Sequence, residues 1–143
     1  YVGWLPGVYP TADTAETALK RQDLFVCEEE GNVLASAIIN QCQVDVYEKG
    51  DWTYCGSEEE VMVLHTLAVS PNATRRGLGS ASVKFYEEYA IQKGCSVLRM
   101  DTNERNTIAR KLYRKLGYLE AGIVPCEFNG IPGVNLVLLE KKL

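Results

Sequence analysis

One histidine, His65, serves the whole chain of 143 residues, and its five cysteines never stand as a Cys-x-x-Cys pair. A zinc site draws on clustered Cys and His ligands, so no metal centre is expected. Cys27, Cys42, Cys55, Cys95 and Cys126 are widely spaced and odd in number, which does not suit a disulfide framework. Free thiols in a reducing, cytoplasmic setting are the expectation. No family-type motif surrounds any cysteine, so a Cys–His nucleophile pair built on His65 has little local support. A basic excess is also missing. Fifteen Lys and Arg stand against 19 Asp and Glu, for a net charge of −4, and a broad nucleic-acid surface needs the opposite balance. No apolar run approaches the roughly 18 residues of a membrane span. The opening "YVGWLPGVYP" does not read as a signal peptide, because a basic start and an apolar centre are both lacking. With no repeat, low-complexity tract or Pro/Gly/Ser linker, residues 1–143 read as a single domain.

Hydrophobic residues make up 46% of the chain and charged residues 24%, the balance of a globular protein. Thr11 is placed to cap a helix over about residues 12–21, with acidic residues early and basic ones late. "LFVCEEEGNVLASAIIN" reads as two strands around a short Gly-Asn turn. Residues 43–58 lose periodicity and read as a loop. "EVMVLHTLAV", residues 60–69, is β-branched and apolar enough for a central strand, which Pro71 ends. From Leu78, Ala81, Phe85, Tyr86 and Tyr89 share one helical face until Gly94 stops the helix. "CSVLRMDT" is another buried strand. Ala109, Leu112, Tyr113 and Leu116 then form a second helical stripe, opposed by Arg110, Lys111, Arg114 and Lys115 and ended by Gly117. "YLEAGIVPCEF" and "VNLVLLEK" flank Asn129-Gly130 as a closing hairpin. A mixed sheet with helices on its faces follows.

The chemistry concentrates in "TRRGLGSASVKFYEEYA", residues 74–90. A strand ends, glycines free the backbone, and a helix begins with Arg75 and Arg76 beside it. Helix-opening N–H groups and the positive end of the dipole make such a turn an anion site. The spacing is neither that of a Walker loop nor of a dinucleotide fingerprint. "NTIARKLYRKLGY", residues 106–118, resembles the Asn-x-x-Ala-x-x-Leu-Tyr-x-Lys-x-Gly-Phe/Tyr segment of the GCN5-related N-acetyltransferase (GNAT) superfamily. "LHTLAVSPNATRRGLGSA" resembles that family's strand and its Arg/Gln-x-x-Gly-x-Gly/Ala pyrophosphate loop. The two motifs stand in the family's order about 30 residues apart, and the likeness runs from about Tyr9 to the C-terminus. One departure is clear: Thr74 stands where the loop normally starts with Arg or Gln.

The resemblance implies an α/β (α+β) fold, with a mixed, mostly antiparallel sheet and helices on both faces. The family's usual first strand and helix would be lacking, so a missing N-terminal segment or another chain is expected to cover the strand at about residues 24–29. It implies an N-acetyltransferase that takes acetyl-CoA as co-substrate and a small-molecule or peptide amine as acceptor, as a monomer or homodimer. The backbone of Leu67, Ala68 and Val69 would hold the pantetheine arm. Arg75, Arg76, Gly77, Leu78, Gly79 and Ser80 would hold the pyrophosphate, Asn106 would touch the cofactor, and Tyr113 would stand beside the thioester sulfur. A phenol there can protonate the departing thiolate as general acid, and a strand N–H can serve the oxyanion. For the base, His65 has the ordinary pKa of a neutral-pH catalyst; alternation sets it on one face with Leu67 and Val69. The run Glu58–Glu60 occupies the place where some family members keep a catalytic glutamate, which makes Glu60 the second candidate. Trp4, Tyr9, Trp52 and Tyr54 are candidate acceptor-pocket residues. The rival readings are a non-catalytic acyl-CoA-binding module and a Cys-dependent hydrolase.

Overall fold

The computed structural model describes residues 23–70, 77–128 and 131–143. The expected helix at about 12–21, the basic segment Thr74–Arg76 and the Asn129–Gly130 turn lie outside the described residues, as do Trp4 and Tyr9. Among the described residues seven strands form one mixed, mostly antiparallel sheet: β1 (Leu24–Glu29), β2 (Asn32–Asn40), β3 (Val61–Leu64), β4 (Ala68–Val69), β5 (Val97–Asn103), β6 (Leu119–Phe128) and β7 (Ile131–Lys142). Their order is β1-β2-β3-β5-β7-β6, with β4 also paired to β2. Among the described strands only β3 and β5 run parallel. Helix α1 (Leu78–Gln92) crosses between β4 and β5, and helix α2 (Thr107–Lys115) connects β5 to β6.

The first hairpin turns one residue earlier than its Gly-Asn pair suggests. Glu30 and Gly31 both take positive φ, 51° and 80°, the geometry of a two-residue turn whose twist suits a hairpin; Asn32 already belongs to β2. The loop at 43–58 also carries local order. Asp45–Lys49 and Glu58–Glu60 each form a short 3-10 turn.

Strand alternation splits the core in two. Met62, Leu64, Leu98, Met100, Val137 and Leu139 face the helices, where they bury Val83, Tyr86 and Ala90 of α1 and Tyr113 of α2. Val61, Val63, Val97, Leu136 and Leu138 face the other way, onto Tyr47, Trp52 and Tyr54 of the 41–60 segment. Both described helices therefore cover one face and that segment covers the other. On α1 the buried stripe is Val83, Tyr86 and Ala90, rotated from the expected one; Phe85 stays 45% exposed. Phe85 instead meets Phe25 and Tyr89 at the rim of an apolar cleft of about 310 Å³ between β1, β2 and α1.

Candidate active site

Residues 60–69 are not one continuous strand, and the break makes the site. On β2, Ile39 pairs with Leu64 and Ser36 with Ala68, so three steps along β2 match four along its partner. The extra residue is a β-bulge. His65 donates its N–H to Ile38 O at 2.8 Å, and Ile38 returns its own to Thr66 O at 3.3 Å. A bulge bends its strand and shifts the alternation by one. Leu64 and Leu67 accordingly both reach the helix-side core, while His65 does not share a face with Leu67 as regular alternation requires.

The bend opens a fork. The pairing of β3 with β5 ends at Leu64–Met100. Beyond it, β4 pairs with β2, and Asp101, Thr102 and Asn103 pair with β7. Ser70 N–H donates to Leu34 O at 2.7 Å, which makes Ala35–Val69 a non-hydrogen-bonded pair. The N–H and C=O of Val69 therefore turn away from β2, toward the fork. Beneath the fork, Tyr86 of α1 donates its hydroxyl to Met62 O at 2.6 Å, with Arg99 O at 3.1 Å.

Helix α1 starts beside this opening. Gly77 sits at its N-cap with φ 68°, no side chain caps it, and its first turn holds no acid. The N–H groups of Leu78, Gly79 and Ser80 have no acceptor within the helix, and they carry the positive end of a 15-residue dipole. The two glycines do different work. A Cβ on Gly77 would meet nothing within 4 Å, whereas one on Gly79 would lie 3.2 Å from Leu112 Cδ2. Gly77 thus leaves open backbone for a ligand, and Gly79 lets α2 approach α1. A bare helix start of this kind is a place where backbone amides can hold an anionic group.

Tyr113 projects from α2 into the same buried cluster as Leu64 and Met100, with 7% exposure. Its ring meets Tyr118 edge-on at 6.1 Å. Burial, and next the charge of Asp101, push its phenol up to about 12. Among the described residues no group hydrogen-bonds its hydroxyl. Asn106 caps α2, its Oδ1 accepting from Ala109 N–H at 3.1 Å, so its side-chain oxygen is committed to the helix. Arg110 does not belong to the open basic face. It grips Glu120 through Nε (2.9 Å) and Nη2 (2.8 Å) and donates to Glu104 O, fixing α2 to β6.

The two candidate bases lie far apart. His65 Nε2 meets Asn40 Oδ1 at 2.5 Å. Asn40 Oδ1 also accepts from Cys42 N–H, and Asn40 Nδ2 donates to Asp23 Oδ2 at 2.8 Å. The amide orientation is thereby fixed, and His65 Nε2 is the donor in this contact. Glu60 is exposed at the opposite end of β3, roughly 16 Å of extended chain from His65. Its Oε1 accepts from Ser57 N–H and Oγ, and its Oε2 from Ser96 Oγ. The Ser57 bonds hold its carboxyl below the usual range. The structure does not bring it to the fork. Trp52 and Tyr54 serve the scaffold: Trp52 lies 4.2 Å over the Arg99 guanidinium and donates to Tyr47 O.

A group the motifs do not mark stands at the fork. Asp101 is the first β5 residue past the last pair with β3, and its Oδ2 accepts from Tyr47 Oη at 2.6 Å. Burial raises its carboxyl to about 6, against the opposing Tyr47 bond. Its signal in the sequence is faint: one acid at the end of the apolar run "SVLRMD".

The family model described as "Acetyltransferase (GNAT) family" matches residues 3–118. The chain is 34% identical over 64 residues to the uncharacterized N-acetyltransferase YhfO of Bacillus subtilis (strain 168), a match covering 45% of this chain and 43% of that protein. It is 30% identical over 60 residues to the aminoglycoside N(6')-acetyltransferase type 1 of Salmonella typhimurium, covering 42% and 41%. The match therefore takes in less than half of either relative. Among solved structures, Ard1 of Thermoplasma volcanium superposes with a TM-score of 0.75 at 14% identity, covering 96% of this chain and 83% of that one, which is a likeness of fold.

Proposed function

The chain belongs to the acetyltransferase (GNAT) family, and from that premise we propose that it is an N-acetyltransferase moving an acetyl group from acetyl-CoA to a primary amine by direct attack. The observation that carries this reading is the fork in the sheet. It joins the outward-turned backbone of Val69, the bare start of α1 and, in the core beside it, a buried phenol with no hydrogen-bond partner among the described residues. Bound acetyl-CoA supplies a thioester carbonyl and a thiol leaving group. The amides of Gly77, Leu78, Gly79 and Ser80, with Arg75 and Arg76, hold its phosphates. Leu67, Ala68 and Val69 align its arm, and the Val69 N–H would meet the carbonyl oxygen. Tyr113 keeps its proton at neutral pH, because burial disfavours phenolate, and delivers it to sulfur as general acid. Asn106 sets the start of α2 and with it the height of Tyr113. His65 is a base for the amine directly or through water. The five free thiols support a reducing, cytoplasmic setting.

Thiol release from acetyl-CoA against a panel of amines tests the reading. One relative is named for aminoglycoside acetylation, so the panel holds aminoglycosides beside polyamines, amino acids and peptides with free termini or lysines. Amine-dependent thiol release is expected for at least one class. Tight acetyl-CoA binding with no release for any of them would favour a non-catalytic binding module instead.

A further inference from the structure

Helix α2 is short, nine residues from Thr107 to Lys115, so the ties at its two ends decide where its side chains stand. Asn106 and the Arg110–Glu120 pair hold the first turns. The last turn, which carries Tyr113, is held by a different group. Lys141 of β7 donates through Nζ to the carbonyl of Leu116, the C-cap of α2, at 2.8 Å. It also donates to Glu87 Oε2 of α1 at 3.0 Å. A cation on a C-terminal carbonyl suits the negative end of the helix dipole. The same Glu87 oxygen accepts from the Tyr118 hydroxyl at 2.7 Å, and the Lys141 ammonium lies 5.4 Å from the Tyr118 ring centre. One carboxylate oxygen thereby ties together α1, the end of α2 and β7.

Tyr118 links this knot to the site. It is buried, its N–H donates to Tyr113 O at 2.9 Å, and its ring is the one that meets Tyr113 edge-on. Burial, and next Tyr86 and the Glu87 bond, push its phenol far up, so the hydroxyl keeps its proton and donates to Glu87. On α1, Glu87 directly follows Tyr86, whose hydroxyl holds Met62 O and Arg99 O beneath the fork. The knot therefore joins the turn of α1 that supports the fork to the turn of α2 that carries the phenol. Packing alone does not ask for it. A ring without the oxygen fills the same place, and a buried hydroxyl costs stability unless an acceptor meets it. We propose that Glu87, Lys141 and Tyr118 are positioning residues that set the depth of the Tyr113 phenol at the fork. This rests on the acetyl-transfer reading and adds to it three residues that touch no substrate. Their work is geometric: a misplacement of about 1 Å can cost about 10²-fold in rate.

A double-mutant cycle with Tyr113→Phe separates positioning from packing. Tyr118→Phe keeps the ring, and Lys141→Met keeps most of the aliphatic stem. With an amine the wild type acetylates, each should lower kcat by about 10-fold and leave the KM for acetyl-CoA unchanged. In a Tyr113→Phe background no phenol remains to be placed, and the same two changes should lower kcat by less than about twofold. The Tyr113 13Cζ NMR signal at pH 7, assigned by its loss in Tyr113→Phe, should move in both Tyr118→Phe and Lys141→Met. Losses in kcat that persist in full in the Tyr113→Phe background overturn the proposal. So does a Tyr113 signal that stays at its wild-type position, or a weaker acetyl-CoA affinity with kcat unchanged. If the wild type acetylates no amine, the transferase reading itself falls, and the NMR signal alone decides whether the knot seats the phenol.

Discussion

Tyr113→Phe removes one oxygen from a buried ring, and the structure separates its effects on rate and stability. No group among the described residues hydrogen-bonds the phenol, so the variant leaves no partner stranded. At pH 7 it should unfold within about 0.5 kcal/mol of wild type. Turnover should fall by roughly 10²-fold with acetyl-CoA affinity retained, as expected when a general acid is lost. A second signature comes from proton linkage. The phenol titrates near 10 when unfolded and at about 12 when folded, so the native state holds the proton more tightly. A group with a raised folded pKa contributes fully below the unfolded value and loses that contribution as pH climbs through the folded one. Wild type should therefore lose about 2 kcal/mol relative to Tyr113→Phe between pH 10 and 12, the slope approaching roughly 1.4 kcal/mol per unit midway. Urea melts of both proteins across that window read the difference, because the other buried tyrosines are common to both. Equal turnover of the two proteins would make Tyr113 a packing residue, and parallel stability curves would refute its burial.

Gly79→Val should cost about 1–3 kcal/mol of stability, since its Cβ starts 3.2 Å from Leu112. Urea unfolding measures this, and a neutral result would mean that the helices do not meet there. Tyr86→Phe strands the carbonyl of Met62 beneath the fork and should destabilise by about 1–3 kcal/mol. Acetyl-CoA affinity should weaken with it if the hydroxyl sets the spread of the strands; unchanged affinity would confine Tyr86 to the core.

The elements were legible in the sequence because most obey local rules. Gly94 and Gly117 end the two helices with φ of 79° and 94°, as their positions promise, and the β1–β2 hairpin forms around a glycine. The features that escaped depend on register. Nothing local in "VLHTLAV" announces a bulge. It exists because β2 and β5 pull one strand two ways, and it decides where His65 points. The helix stripe shifted from Phe85 to Val83 for a similar reason: α1 packs on a sheet whose fork sets its rotation, and both residues are apolar enough for either role. Of the site, the glycine turn, Asn106 and Tyr113 were readable as motif. Asp101 was not, because a lone acid in a strand acquires meaning only from what lies across the sheet.

The central claim is that the fork and the start of α1 form one cradle for acetyl-CoA, and amide NMR of 15N-labelled protein reads it directly. Titrated acetyl-CoA should shift the N–H signals of Val69, Gly77, Leu78, Gly79 and Ser80 first and furthest, and slow their exchange with solvent. Free CoA should reproduce the shifts at 77–80, where the phosphates lie. Unmoved signals at these positions up to millimolar acetyl-CoA, or a cluster of shifts elsewhere on the sheet, would contradict the account.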